Sequence, residues 1–247
     1  MTKLSVNLNA VAMLRNRRDV GWPNVVDIAK IVLNAGAVGI TVHPRPDQRH
    51  IRFDDVNILR DLLRSDYPKA EYNIEGYPSE EFLLLVEKAM PDQVTFVPDD
   101  PAQATSDHGW DIDDNKAMLE ENIRRMKALN IRVALFIDED PTIPADAREV
   151  GADRVELYTG PYGASFATSN GDYHLQRLGV TARAAHAAGL KVNAGHDLTL
   201  ENLPTFLQAV PNVAEVSIGH GITADALLMG FDAAVRAYIN VLEAVSK

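Results

Sequence analysis

The stretch Ala37–Ile51, AVGITVHPRPDQRHI, decides how the chain is read. Up to Val42 it alternates small and β-branched apolar residues, as a strand buried on both faces does. Then polarity arrives at once. His43, Arg45, Asp47, Arg49 and His50 crowd together, while Pro44 and Pro46 stop the segment from continuing as helix or central strand. A stiff loop therefore leaves the end of a buried strand. If that strand runs parallel to its neighbours, the loop lies at the carboxyl edge, where open α/β sheets and closed (β/α) barrels build their sites.

Working outward, the pattern repeats. A first strand over Lys3–Leu8 leads into the helical NAVAMLRNRR, whose Arg15, Arg17 and Arg18 read equally well as a solvated turn or an anion site. A helix over 23–35 stops at Gly36 before the strand just described. Asp54 can cap the next helix, with Val56, Leu59, Leu62 and Leu63 on one face, and AEYNIE from Ala70 forms a third strand ending at Glu75. Ser79 opens a helix through Val86, with Glu80 and Glu81 in its first turn, and DQVTFV from Asp92 is strand four. The helix over 115–129 carries Glu120/Arg124 and Glu121/Arg125 at i,i+4 spacing; strand five, IRVALFI, ends before Asp138. A short helix over 144–150 precedes strand six, DRVELY, which opens into the loop TGPYGASFATSNGDY. A long Ala-rich helix closes at Gly189, LKVNAG is strand seven, a helix spans 200–208, AEVSIG is strand eight, and a final helix runs from about Ala224. Eight strands alternate with eight principal helices, and Gly36, Asn130, Gly151 and Gly189 stop helices just before strands. The expected fold is an α/β (β/α)8 TIM barrel, one domain over 1–247. A doubly wound open sheet would call for a Gly-rich phosphate loop after strand one, which is absent.

Composition narrows the partners. The 247 residues are 46% hydrophobic and carry a net charge of −11 with no long basic run, so nucleic acid and anionic membranes are poor partners. The absence of Cys removes disulfides, thiolate nucleophiles and Cys-ligated zinc. MTKLSVNLNA lacks the apolar stretch of a secretory signal, and no segment approaches the roughly 20 apolar residues that span a bilayer, so a cytoplasmic protein is expected. The one long connection, 98–114, leaves strand four on the active rim and is expected to act as a lid.

The strand ends hold the chemistry. His43, His196 and His220 follow strands two, seven and eight, and His50 lies in the loop after strand two, whereas His174 and His186 fall on a helix face expected to be solvated. Glu75 and Glu156 add carboxylates at or near the ends of strands three and six, Glu156 to orient its neighbours. Imidazoles and partly desolvated carboxyls suit several proton transfers near neutral pH. No metal is expected, because Asn7 and Asn9 stand where metal-dependent barrel hydrolases usually carry a His-x-His pair. Gly195 and Gly219 offer close backbone approach after strands seven and eight, the usual barrel phosphate position, and Arg18 and Arg45 can clamp further oxygens. Two separated basic clusters point to two phosphate groups, hence phosphorylated small molecules.

VNLNAVAMLRNRR, GITVHPRPDQRHI, NIEGYPSEE, KVNAGHDLT and EVSIGHGI together resemble the pyridoxine 5′-phosphate synthase family of the deoxyxylulose-dependent vitamin B6 pathway, over essentially the whole chain. The resemblance implies condensation of 3-amino-2-oxopropyl phosphate with 1-deoxy-D-xylulose 5-phosphate to give pyridoxine 5′-phosphate, inorganic phosphate and water, without metal or organic cofactor. It implies that the amino-ketone phosphate meets Asn7, Arg18, the Asp197 backbone, Gly219 and His220, and that the deoxyxylulose phosphate meets Arg45, His50 and Thr105. His43 and Glu75 match the family's proton acceptors and His196 its proton donor. Asn9 and Ala10 stand where many members carry an Asp-His pair touching the deoxyxylulose substrate; Asn9 keeps hydrogen bonding without the charge, Ala10 only its backbone. The family assembles as octamers, a role open to the helix at Asn9–Arg15 and to the apolar C-terminal helix with Leu227, Leu228, Met229 and Phe231, which core packing would explain equally well. Two other readings remain. A sugar-phosphate aldolase or isomerase would share the phosphate positions, although a Schiff-base aldolase needs a lysine at a strand end and neither Lys3 nor Lys191 fits. A non-catalytic protein binding phosphorylated ligands would keep the arginines and glycines alone.

Overall fold

The computed structural model describes residues 1–99 and 105–245. Eight parallel strands close a barrel in sequence order: β1 (Lys3–Asn7), β2 (Gly39–Val42), β3 (Glu71–Gly76), β4 (Gln93–Phe96), β5 (Arg132–Ile137), β6 (Arg154–Tyr158), β7 (Lys191–Gly195) and β8 (Val213–Ile218). The seam joins β1 to β8, with Lys3 opposite Glu215 and Ser5 opposite Ser217. This is the expected (β/α)8 architecture.

Alternation along each strand sorts the residues. Leu4 and Val6, Ile40 and Val42, Val94 and Phe96, and Val155 and Leu157 are buried in the apolar layer between strands and helices. The alternate positions point inward and are polar. Ser5 Oγ meets Thr41 Oγ1 at 2.7 Å, Thr95 Oγ1 lies 3.1 Å from Asn73 Oδ1, and Thr95 Oγ1 reaches across to Glu156 Oε2 at 3.4 Å. Nearer the amino edge, Glu71 pairs with Lys3 at 2.7 Å and with Arg132, and buried Arg154 donates to Asn193 at 2.9 Å. The oil of this fold lies outside the barrel wall. The same period carries Gly39, Thr41 and His43 inward, so the histidine enters the mouth because the strand that delivers it continues in register.

The covering helices are α1 (Asn9–Asn16), α2 (Val25–Asn34), α3 (Phe53–Asp66), α4 (Glu80–Ala89), α5 (Ile112–Ala128), α6 (Ile143–Glu149), α7 (Gly160–Ala164), α8 (Ser169–Ala187), α9 (Leu203–Ala209), α10 (His220–Met229) and α11 (Phe231–Val245). Several details depart from expectation. Asp54 does not cap α3; Arg52 occupies that position and donates its N–H to Asp55 Oδ2 at 2.8 Å. α5 begins at Ile112, because the Asp111 carboxylate accepts from Asp114 N at 3.1 Å. Arg125 reaches Glu80 and Glu87 on α4, at 2.7 and 2.6 Å, instead of Glu121 one turn away. His174 and His186 are half-buried and bonded, where free solvation was expected: one lies 2.5 Å from Glu139 Oε1, the other 3.1 Å from the Pro211 carbonyl. The loop after β6 contains α7, and the expected single C-terminal helix is two, parted at Gly230 with φ 82° and ψ 153°.

Of the segment expected to act as a lid, residues 100–104 lie outside the described residues. Its far end is firmly seated. Trp110 is buried, its backbone N–H donates to the Phe136 carbonyl at 3.0 Å and its Nε1 to the Phe96 carbonyl at 2.8 Å, while Gly109 N donates to Asp138 Oδ1 at 3.0 Å. Among the described residues no helix is long and apolar enough to cross a membrane.

Candidate active site

The carboxyl ends of the strands enclose a cup of about 440 Å³, lined by Asn7, Asn9, Ala10, His43, Arg45, His50, Glu75, Thr105, Glu156, His196, Asp197, Gly219 and His220 together with Ser106, Phe136 and Ser217. The catalytic and substrate-binding residues named from the sequence are in that lining except Arg18, which is exposed just past the end of α1; Gly195, expected beside a phosphate, is not among the lining residues.

Loop 43–50 owes its shape to α1. Arg15, buried, pairs with Asp55 at 2.6 Å and donates to the His50 carbonyl at 3.2 Å, and Asn16 Nδ2 faces the Arg49 and His50 carbonyls at 3.1 and 2.7 Å. Arg15 is thus a brace, not an anion site. Asn9 braces the other side, its Oδ1 accepting from His43 N at 2.9 Å, and Asn7 Oδ1 accepts from Asn9 N at 2.9 Å. The carbonyl oxygen of the Asn9 amide is therefore committed to the backbone of loop 43–50.

His43 lies between two carboxyl groups. Its Nδ1 is 3.9 Å from Glu75 Oε2 and its Nε2 3.4 Å from Asp99 Oδ2, with Asn7 Nδ2 donating to Glu75 Oε2 at 3.4 Å. Burial holds the His43 imidazole well below its ordinary value, helped by His50, Arg45 and Arg49, so it is neutral and able to accept a proton. Burial lowers His50 to about 4, and its Nδ1 accepts from Ile51 N at 2.9 Å. Glu75 moves the opposite way. Burial, with Glu156, Asp99 and Glu215 nearby, pushes its carboxyl well up; burial and Glu215 push Glu156 to about 8. Both shifts favour the protonated carboxyl, at Glu156 up to about pH 8.

Across the cup, His196 and Asp197 sit in the left-handed region at φ 83° and 54°, a costly conformation for residues with side chains and one concentrated at functional sites. His196 Nδ1 meets Asp197 Oδ2 at 3.0 Å, its Nε2 meets Thr105 Oγ1 at 2.9 Å, and its ring stands edge-on to Tyr158. The hydrogen bond from His196 keeps the Asp197 carboxyl below its usual range. Gly219 precedes α10, whose first-turn amides lack intrahelical partners, and both Gly219 and His220 line the cup. The glycines serve packing as well: a Cβ on Gly195 would stand 2.7 Å from Glu156 Oε1, and one on Gly219 3.0 Å from Asn7 Cβ. Among the described residues no cluster of three or more His, Asp or Glu groups converges as a metal site.

Sequence reasoning missed Asp99, which pairs with Arg45 and accepts from Ser106 Oγ at 3.0 Å. The signal was its place directly after strand four, at the edge that delivers the other residues, hidden by its inclusion in a long irregular connection.

A family profile described as "Pyridoxal phosphate biosynthesis protein PdxJ" matches residues 4–244. The chain belongs to this family. Two relatives named pyridoxine 5′-phosphate synthase are 59% identical over 239 residues (Mesorhizobium japonicum, 96% of this chain and 97% of that protein) and 58% identical over 241 residues (Brucella abortus, 97% and 98%). Among solved structures, phosphoribosyl anthranilate isomerase from Thermus thermophilus superposes with a TM-score of 0.63 at 16% identity, covering 99% of this chain and all of that one, a likeness of fold alone. In this PdxJ-family chain, then, the polar mouth sits on a barrel shared with enzymes of unrelated sequence.

Proposed function

We propose that this chain is a pyridoxine 5′-phosphate synthase, a single barrel domain over 1–247 that joins 3-amino-2-oxopropyl phosphate to 1-deoxy-D-xylulose 5-phosphate and releases pyridoxine 5′-phosphate, inorganic phosphate and water in the cytoplasm. The observation that carries the reading is one cup holding His43, Glu75 and His196 in a chain of this family. Imine formation, phosphate loss, enol addition and dehydration each move a proton. Neutral His43 accepts one. Glu75, whose proton affinity burial raises, is the stronger acceptor of the pair once it has passed a proton to a leaving hydroxyl, so the two groups act as one reservoir. His196, held at both ring nitrogens, donates from the facing wall. Glu156, below Glu75, raises the proton affinity of the pair. Phosphates go to the α10 rim at Gly219 and His220, beside Asn7 and the Asp197 backbone, and to Arg45 with His50 and Thr105. Asn9 and Ala10 line the second substrate's end of the cup. Arg18, exposed, is left to meet its ligand from outside the lining described. The assembly is a homo-oligomer, an octamer as in the family it resembles.

Among the described residues no lysine lines the cup, which disfavours a Schiff-base aldolase. Mixing the two substrates with pure protein should generate the pyridine chromophore. Glu75→Gln and His196→Asn should retain ligand binding and lose turnover by a factor of roughly 10² or more. Near-normal rates in both would remove these residues from the mechanism.

A further inference from the structure

Asp99 stands three residues past β4 with its side chain 7% exposed, and three groups of the cup converge on its Oδ2: Arg45 Nη2, in direct ion-pair contact, Ser106 Oγ at 3.0 Å and His43 Nε2 at 3.4 Å. A guanidinium as buried as that of Arg45 needs an anion beside it, because burying the charge unpaired is strongly unfavourable. Asp99 supplies one. Its position is lateral. Arg45 and His43 line both the cup and a neighbouring, more apolar cavity of about 510 Å³ walled by Phe53, Tyr77 and Phe82, whereas Asp99 lines the neighbouring cavity only. The carboxylate therefore holds the arginine from behind, and a phosphate entering the cup approaches the same guanidinium from the front.

We propose that Asp99 is a resident counter-anion, exchanged at Arg45 for the phosphate of the second substrate, and that on release it becomes the positioning residue of His43. The inference rests on Arg45 being a phosphate ligand. Two anions on one guanidinium repel, and the dianionic, multidentate phosphate outcompetes the single carboxylate oxygen. Freed of Arg45, Asp99 closes the remaining 3.4 Å to His43 Nε2, fixes the hydrogen there, and leaves the Nδ1 lone pair facing Glu75. Phosphate arrival thereby sets the tautomer of the base, so that proton transfer waits for a filled cup.

The test is a split between binding and turnover. Asp99→Asn should bind inorganic phosphate and deoxyxylulose phosphate roughly tenfold tighter, the scale of one competing charged hydrogen bond, lowering KM for that substrate while kcat falls. Asp99→Glu should restore part of kcat. Unchanged or weaker phosphate binding by Asp99→Asn overturns the proposal. Arg45→Ala distinguishes this from failure of the underlying reading: if that variant binds phosphate as the parent does, Arg45 is not the phosphate ligand. The unsubstituted protein gives an independent check. Adding saturating inorganic phosphate should move the His43 ring ¹⁵N signals towards a single Nε2–H tautomer, and bound phosphate with static His43 signals refutes the exchange.

Discussion

Burial acts on Glu156 and His50 with opposite signs. The Glu156 carboxyl rises from 4.5 to about 8 in the folded chain, so the stability it contributes is full below 4.5 and is lost as pH climbs through about 8. His50 falls from 6.5 to about 4; its contribution is full above 6.5 and is lost as pH drops through about 4. Urea midpoints measured across this range should show Glu156→Gln abolishing part of the alkaline decline and His50→Asn part of the acid decline. A Glu156→Gln variant that keeps the parental slope above pH 5 would contradict the burial of that carboxyl. At this scale the sequence was informative where a residue followed a strand in register. His43, Glu75, His196 and His220 were visible because period-two alternation sends them into one mouth. Asp99 was not, since its partners Arg45 and His43 lie more than fifty positions away and nothing local marks the pairing. Asn9 was visible as a polar residue, but its bond to a backbone N–H could not be told from a bond to substrate.

Among elements, two glycines carry separable consequences. Gly230 parts α10 from α11 at a backbone geometry open essentially to glycine alone, and a Cβ there would touch nothing within 4 Å. Gly230→Ala should cost about 1–3 kcal/mol through the backbone only, a drop of several degrees in Tm with unchanged KM. Gly109 is the reverse. A Cβ would fall 2.3 Å from Asp138 N, so Gly109→Ala must lift the segment that brings Thr105 to His196. Its kcat/KM should fall, by roughly 10²-fold if the displacement nears an ångström. Normal kcat/KM would show that the seat of Trp110 tolerates the shift. Helix starts were the least legible elements. The side chain capping α5 and the carboxylate receiving Arg52 N lie where composition reads simply as acidic loop, and α7 is too short to display a period.

Across the whole molecule, α1 packs against α10, and both expose apolar side chains: Leu14 is 51% exposed, Leu227 73% and Leu228 88%. Exposed apolar side chains on packed neighbouring helices are what the proposed contact between copies would cover. In the proposed homo-oligomer, replacing Leu227 and Leu228 together by Glu should give smaller species by light scattering while each barrel stays folded; an unchanged mass would place the interface elsewhere. Periodicity showed these residues as apolar without revealing which of them face outward, because a helix broken at Gly230 turns two faces where one was read. The barrel itself was legible, since eight strands of matching length separated by helix stops admit few closures.

That closure has a temporal side. β1, the first strand made, owes one of its two rows of backbone partners to β8, which ends at residue 218. While the polypeptide leaves the ribosome, the amino-terminal strand carries an open edge through most of synthesis, and the nascent chain must be kept from pairing with a stranger until its own tail arrives.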